Sequence, residues 1–183
     1  MNKIIITGHT SPVGQILTEY FSRDYDVIGI SRSTGYDLTK KSDRLNVIDL
    51  ASNATHFINL ANVGCSQTYI LLGLYRRWAN RTGKIISFGS MAAELTLETL
   101  YDYSASMEMI ASKFLLERCH RELSIKQVFG IQPESILIRF ANYGKKEGSR
   151  SWEPYSNKDQ MIEIIDNIMK SSSYISTIDF RQI

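Results

Sequence analysis

The stretch Ile4-Ile5-Ile6-Thr7-Gly8-His9-Thr10-Ser11-Pro12-Val13-Gly14 decides the fold. Three consecutive isoleucines before a threonine and a glycine fit a short strand covered on both faces, where an unbroken apolar run replaces alternation. The next segment is helical. Val13, Ile16, Leu17, Tyr20 and Phe21 recur at intervals of three and four, which puts them on one face of a helix over residues 13–22. A strand that turns through glycine directly into a helix gathers backbone amides and the positive end of the helix dipole at one point. Small residues there let a phosphate come close, so residues 7–14 form a candidate anion site.

Outward from this turn, strands and helices alternate. Val27–Ile30, Thr55–Leu60, Lys84–Phe88 and Ser135–Phe140 read as strands, and Tyr174–Asp179 as a closing one. Helical spacing fills 66–80 and 103–121, and Met161, Ile164, Ile165 and Ile168 mark a helix over 158–170 with Ser156 or Asn157 as its cap. Parallel strands need crossover connections, so the alternation predicts a doubly wound α/β domain: a parallel sheet with helices on both faces. The length of 183 residues fits a single domain over 1–183. Residues 144–157, from Gly144-Lys145-Lys146 to Pro154, read as a loop on that domain.

Composition narrows the function classes. Apolar residues make up 43% and charged residues 22% of the chain, which excludes a disordered tail. Lys and Arg total 21 against 19 Asp and Glu, spread evenly, so no basic face invites nucleic acid or a membrane surface. Cys65 and Cys119 are too few for a disulfide framework, and with His9, His56 and His120 they form no metal-ligand spacing. The apolar run at the N-terminus falls short of the ~7–15 residues of a signal peptide and the ~20 of a spanning helix. A cytoplasmic address is the expectation.

Seventeen residues after Gly14, the second strand ends at Ser31-Arg32. A binder of NAD usually carries an acidic residue at this place for the ribose 2′-hydroxyl. Here no carboxylate repels a 2′-phosphate, and a guanidinium stands ready to pair with one. The pattern favours NADP(H), with NAD(H) as the alternative.

These segments resemble the short-chain dehydrogenase/reductase superfamily, in particular its epimerase/dehydratase-like branch. Thr7–Gly14 is similar to that branch's TGxxGxxG, with Ser11 where the middle glycine belongs. The short passage from Ser31 to Asp37-Leu38-Thr39 resembles dTDP-4-dehydrorhamnose reductases, which implies Asp37 and Leu38 near an adenine. Ile58-Asn59-Leu60-Ala61-Asn62 looks like the strand lining the cofactor crevice, and Ser87-Phe88-Gly89-Ser90 like the serine strand. Ile138–Gly144 is similar to the branch's R-x-x-N-x-Y-G segment, one residue shorter. The resemblance implies a Rossmann-type three-layer sandwich. Its cofactor set would be Gly8, Thr10, Ser11, Pro12, Val13, Gly14, Ser31, Arg32, Asp37, Leu38, Leu60, Ala61 and Asn62.

For catalysis it implies Ser90 and Tyr103, thirteen residues apart. In the family the serine holds the substrate oxygen, the tyrosine exchanges a proton with it, and a lysine one helical turn on lowers the tyrosine's pKa. Tyr103-Ser104-Ala105-Ser106-Met107 follows that YxxxK segment except at its last residue. Without the cation Tyr103 keeps a pKa near ~10 and stays protonated, so it donates a proton more readily than it removes one. Reduction is therefore favoured over oxidation. Lys113, ten residues beyond Tyr103, points away from it on a helix rising ~1.5 Å per residue. Met107, Met109 and Ile110 fit the core or a subunit contact.

Set against the resemblance, the family's large C-terminal substrate lobe is expected to be reduced to the 144–157 loop with Arg150, Trp152 and Tyr155. Family members often pair across a two-fold axis through helices corresponding to 66–80 and 103–121, which implies a homodimer. Two functions are open at this point. One is an NADP-dependent reductase of a small carbonyl or sugar-nucleotide substrate. The other is a catalytically degenerate dinucleotide-binding module, a sensor or assembly partner, which Met107, Ser11 and the expected loss of the lobe favour. A third reading, a fold that binds no nucleotide, rests on Ser11-Pro12 crowding the phosphate position.

Overall fold

The computed structural model describes residues 2–90, 107–128, 133–141 and 158–181. Six strands, β1 (Lys3–Thr7), β2 (Asp26–Ile30), β3 (His56–Asn59), β4 (Lys84–Phe88), β5 (Glu134–Ala141) and β6 (Thr177–Arg181), form one sheet in the order β2-β1-β3-β4-β5-β6. Every pairing is parallel. The helices are α1 (Pro12–Phe21), α2 (Lys41–Leu50), α3 (Ser66–Arg77), α4 (Met107–Val128) and α5 (Lys158–Lys170). Tyr103 and the 144–157 loop lie outside the described residues, as do Asn142, Tyr143 and Gly144.

Side chains on successive strand residues go to opposite faces, and the core divides accordingly. Ile4 and Ile6 of β1, Ile58 of β3, Ile86 of β4, and Ile136 and Ile138 of β5 pack under α1 and α5. Their neighbours Ile5, Phe57, Ile85 and Leu137 pack under α2, α3 and α4. The sheet is thus buried on both faces, as the isoleucine run requires. Each helix contributes its apolar stripe: Val13, Leu17 and Phe21 from α1, and Met161, Ile165 and Ile168 from α5. Beyond α3, the Trp78 indole N–H donates to the Ala51 carbonyl at 2.9 Å, so a large buried ring is also polar-satisfied.

Several elements differ from the sequence expectation, among them α4, which runs on to Val128 rather than ending at 121, and α3, which ends at Arg77 rather than at 80. Helix α2 falls in a stretch where periodicity predicts none, because its sequence KSDRLNVIDL buries only Val47 fully and leaves Leu45 exposed. Its apolar signal is too thin to announce a helix that is held by packing against α3 and the core. The closing strand begins at Thr177 rather than Tyr174, pairing Leu137 with Thr177.

At the opposite end of the sheet from the glycine turn, Lys84 reaches the last turn of α5. Its ammonium donates to the Ile168 carbonyl at 2.8 Å and to the Ser171 carbonyl, and lies 3.4 Å from Glu134. A cation on the free carbonyls of a helix C-terminus is favourable by charge and by hydrogen bonding. His56 meets the Met169 carbonyl nearby, and burial holds its pKa below the usual histidine value.

His120, on the inward stripe of α4, is only 2% exposed, and burial pushes its pKa down to about 3. The unfolded chain therefore binds a proton that the folded chain refuses between that value and the ordinary one near ~6.5. Stability must fall as pH falls through this window. Urea unfolding should show a loss of about 2 kcal/mol between pH ~7.5 and pH ~5. In His120→Gln that pH-dependent loss should shrink; an equal loss in both chains would refute the assignment.

Candidate dinucleotide site at the exits of β1, β2 and β3

The chain runs from β1 outward to β2 and then crosses back over β1 to β3. That reversal opens a crevice at the carboxyl ends of β1 and β3, where doubly wound sheets bind ligands. Thr7, fully buried at the end of β1, accepts the amides of Leu60 at 3.0 Å and Ala61 at 3.1 Å. This ties the loop after β3 to the end of β1. Gly8 adopts φ of 72°, and a Cβ there would lie 3.1 Å from the Ala61 Cα. Both the conformation and the contact demand glycine. The Gly8 amide donates to the Ile30 carbonyl at 2.8 Å, which joins the end of β2 to the same point.

Ser11, in place of a glycine, sits in extended backbone at φ −71° and ψ 159°, which any residue adopts. Its hydroxyl caps α1 by accepting the Gly14 amide at 3.1 Å, and Pro12 occupies the first helical position, where a missing N–H costs little. Gly14 does not line the crevice. It is buried, and a Cβ there would come 2.2 Å from the Gly8 carbonyl oxygen, so this glycine serves turn packing. His9 also turns away: its imidazole covers Gly29 of β2, where a Cβ would lie 2.4 Å from its ring.

Beyond β2 a 3-10 turn, Arg32–Thr34, is closed reciprocally. The Ser31 amide donates to the Thr34 hydroxyl oxygen at 2.9 Å, and the Ser31 and Ser33 hydroxyls meet at 2.7 Å. Arg32 is exposed, and no hydrogen bond or ion pair holds its guanidinium among the described residues. The next wall is pinned. Asp37 accepts the Thr39 hydroxyl at 2.7 Å and the Thr39 amide at 3.1 Å, and these bonds hold its carboxyl below the usual range. Its own amide donates to Asp43 at 2.8 Å, and Arg44 donates to the Leu38 and Thr39 carbonyls, both at 2.8 Å. Leu38 is thereby buried with its backbone fixed.

These segments enclose a cavity of about 720 Å³. Its walls include Gly8, Thr10, Ser11, Pro12 and Val13 from the first turn, and Ser31, Arg32, Asp37 and Leu38 from the second. Leu60, Ala61 and Asn62 come from the loop after β3. Every residue of the expected cofactor set lines it except Gly14. Ile30, Ser33, Tyr36, Thr39 and Val63 also line it, outside the expected cofactor set. Tyr36 and Thr39 carry a signal, since they flank Asp37-Leu38. Among the described residues no three of His, Cys, Asp or Glu gather to hold a metal.

The expected catalytic end is described in part. Ser90 stands half-buried two residues past β4, and the Gly89 amide donates to the Ile138 carbonyl at 2.8 Å. Tyr103 lies outside the described residues. Met107, which opens the described part of α4, is 62% exposed, while Met109 is half-buried and Ile110 buried. Met107 is thus not a core residue. Lys113 is the surprise: it is 5% exposed, with its ammonium donating to Gln67 Oε1 at 2.6 Å and to the Phe88 carbonyl at 2.7 Å.

Neither a comparison with protein-family profiles nor one with curated protein sequences finds a match. Solved structures do match. A metagenomic short-chain oxidoreductase in complex with NADP aligns with a TM-score of 0.68 at 13% identity, over 100% of this chain and 97% of its own. A Brucella ovis oxidoreductase of the short-chain dehydrogenase/reductase family, in complex with a partially ordered NAD, aligns with a TM-score of 0.64 at 15% identity, over 100% and 99%. The UDP-N-acetylglucosamine 4-epimerase of Bacillus cereus aligns at 0.67 and 17% identity, over 98% of this chain and 75% of its own. The fold is therefore the doubly wound, Rossmann-like α/β fold of short-chain dehydrogenase/reductase structures.

Three substitutions at two positions check the turn. Gly8→Ala, forced into a left-handed backbone against Ala61, should lower unfolding stability by roughly 1–2 kcal/mol. Ser11→Ala should cost about 1 kcal/mol through the lost cap, and Ser11→Gly only a few tenths. Equal effects of the two Ser11 changes in denaturant titrations would deny the hydroxyl its capping role.

Proposed function

We propose that this chain is a single NADP(H)-binding domain of the short-chain dehydrogenase/reductase type, in its epimerase/dehydratase-like branch. In this reading it reduces a small carbonyl or sugar-nucleotide substrate. The observation that carries the reading is the cavity at the strand exits, which gathers the phosphate turn, the exposed Arg32 guanidinium and a pinned apolar wall. At the first turn of α1, Pro12 has no N–H and the Gly14 amide is taken by Ser11. The Val13 amide is then the donor left for a diphosphate, with the helix dipole behind it. Arg32 would pair with the 2′-phosphate, Ser31 and Ser33 beside it, and the adenine would rest along Leu38 and Tyr36. The matching structures that hold NADP and NAD support a nicotinamide dinucleotide in general.

The bound dinucleotide supplies a hydride. Ser90 would hold the substrate oxygen by its hydroxyl, and Tyr103 would give that oxygen its phenolic proton. With Met107 where the family has lysine, nothing at that position withdraws the Tyr103 proton, so the phenol stays a donor and reduction is the direction served. Met107 also favours the second reading, a module that binds dinucleotide without turnover. Met107→Lys together with the parent chain separates the two: NADPH oxidation that arises only with the lysine identifies a degenerate module, and measurable oxidation by the parent that the lysine leaves unchanged identifies an enzyme adapted to reduction without the cation.

Exposed apolar side chains on α3 (Tyr69, Leu72) and α4 (Phe114, Leu115) support a homodimer through this helix pair. Phe114 is 62% exposed, and Phe114→Asp should convert the dimer to a monomer in light scattering. A monomeric parent chain would refute this. The free thiols of Cys65 and Cys119 accord with a cytoplasmic address. Among the described residues no helix is long and apolar enough to cross a membrane.

Fluorescence titration with NADPH and NADH tests the central claim. Arg32→Ala should weaken NADPH about tenfold, the loss of one charge-assisted phosphate contact, and NADH by less than about twofold. Tyr103→Phe should leave binding intact and abolish NADPH oxidation across a panel of carbonyl compounds. No saturable binding of either dinucleotide at millimolar concentration would overturn the reading.

A further inference from the structure

The inward face of α4 carries Ile110, Lys113, Leu116, His120 and Leu123 at intervals of three and four. Lysine in the middle of such a stripe is out of place on hydrophobic grounds. Burying an ammonium is costly unless hydrogen bonds and an opposite charge compensate it. Both are present. Lys113 donates to Gln67 Oε1 on α3 and to the Phe88 carbonyl, the last of β4. Gln67 carries the connection sideways: its amide nitrogen donates to the Asn59 carbonyl at 2.6 Å and, more weakly, to the Phe88 carbonyl at 3.3 Å. Asn59 returns a bond to the Gln67 carbonyl at 2.8 Å.

On the far side, the field of Glu117, one turn along α4, favours the charged amine. Glu117 lies 3.5 Å from Arg139 on β5, which in turn makes a two-pronged contact with Asp179 on β6, both bonds at 2.7 Å. Four charges of alternating sign therefore converge beneath the Gly89–Ser90 turn. Gly89 is tightly placed against them: a Cβ there would lie 3.3 Å from the Arg139 Cγ and 3.5 Å from Glu117 Oε1.

We propose that Lys113 is a positioning residue, which clamps the end of β4 so that Ser90 presents its hydroxyl to the site and supplies that turn with the positive charge absent at Met107. The inference rests on the reading of Ser90 as the residue that orients the substrate oxygen. Burial lowers the lysine's pKa to about 8, so the two contributions separate with pH. A neutral amine still has two N–H groups for its two acceptors, and only the charge is withdrawn on deprotonation.

A thiol in place of the serine reads that charge without requiring turnover. In the full chain carrying Ser90→Cys, with Cys65 and Cys119 changed to serine, iodoacetamide alkylation is followed against pH. A nearby cation lowers the pKa of a thiol and raises its rate. Lys113→Met should raise the apparent thiol pKa by at least about half a unit and slow alkylation at pH ~7.5 about threefold, while Lys113→Arg, which stays charged throughout, should leave the thiol pKa no higher than in the parent. A merely structural lysine would change the limiting rate at high pH but leave the pKa in place, and that result overturns the proposal. Should the methionine variant fail to fold, Lys113→Gln, an uncharged donor, makes the same comparison. NADPH titration of the same variants keeps the two readings apart. Absent binding in the parent sinks the reductase, whereas normal binding with an unmoved thiol pKa sinks only the role of Lys113.

Discussion

One buried hydroxyl, that of Thr7, accepts the amides of Leu60 and Ala61 and so joins the exits of β1 and β3. The crevice depends on this junction. Parallel strands on either side of a switch point diverge once their ladder ends, and the loops they feed are free to part unless something holds them. Here the holding group is placed by register, since Thr7 lies opposite Asn59 in the β1–β3 ladder and opposite Ile30 in the β1–β2 ladder. The Gly8 amide then completes the junction through the Ile30 carbonyl. Three strand ends are thereby gathered within a few residues of one threonine, and the helix that begins at Pro12 is aimed into the space between them.

The layered fold is legible in the sequence because its signals are redundant. Ile4, Ile5 and Ile6 cannot all be satisfied by a one-sided sheet, and the helical spacing at Val13, Leu17 and Phe21 names the cover for one side. Helix α2 is illegible for the opposite reason. A surface helix that buries Val47 alone owes its existence to contact with α3 and the core, and such tertiary support leaves almost no periodic mark. The last strand starts three residues later than its apolar run suggests, its ladder to β5 beginning only at the Leu137–Thr177 pair.

At the site, the backbone-directed residues are readable and their individual roles are not. Sequence groups Gly8 and Gly14 together as phosphate glycines, whereas only Gly8 reaches the crevice and Gly14 relieves a clash within the turn. Ser11 reads as an obstruction, yet its hydroxyl is spent on capping α1 and its backbone needs no special angle. Lys113, measured against Tyr103 along a single helix, is remote. What gives it a place is the carbonyl of Phe88 on a different element, and no spacing within α4 encodes that. The cue available is local: a lysine and a histidine on a stripe otherwise reserved for apolar side chains.

In the sheet order β2 is an outermost strand, paired through Asp26–Ile30 to β1 and to no other strand among the described residues. The outer wall of the crevice, from Ser31 to Thr39, accordingly has no further strand to brace it among the described residues, and Arg44 and Asp43 of α2 brace it from behind. An open strand edge is also a template on which other chains can add. Here the edge is five residues long, begins with the exposed Asp26 and breaks off into the 3-10 turn and the left-handed Gly35. The residues that shape the crevice's outer wall therefore also limit self-association along the sheet, and lengthening β2 to gain contacts would trade solubility for them.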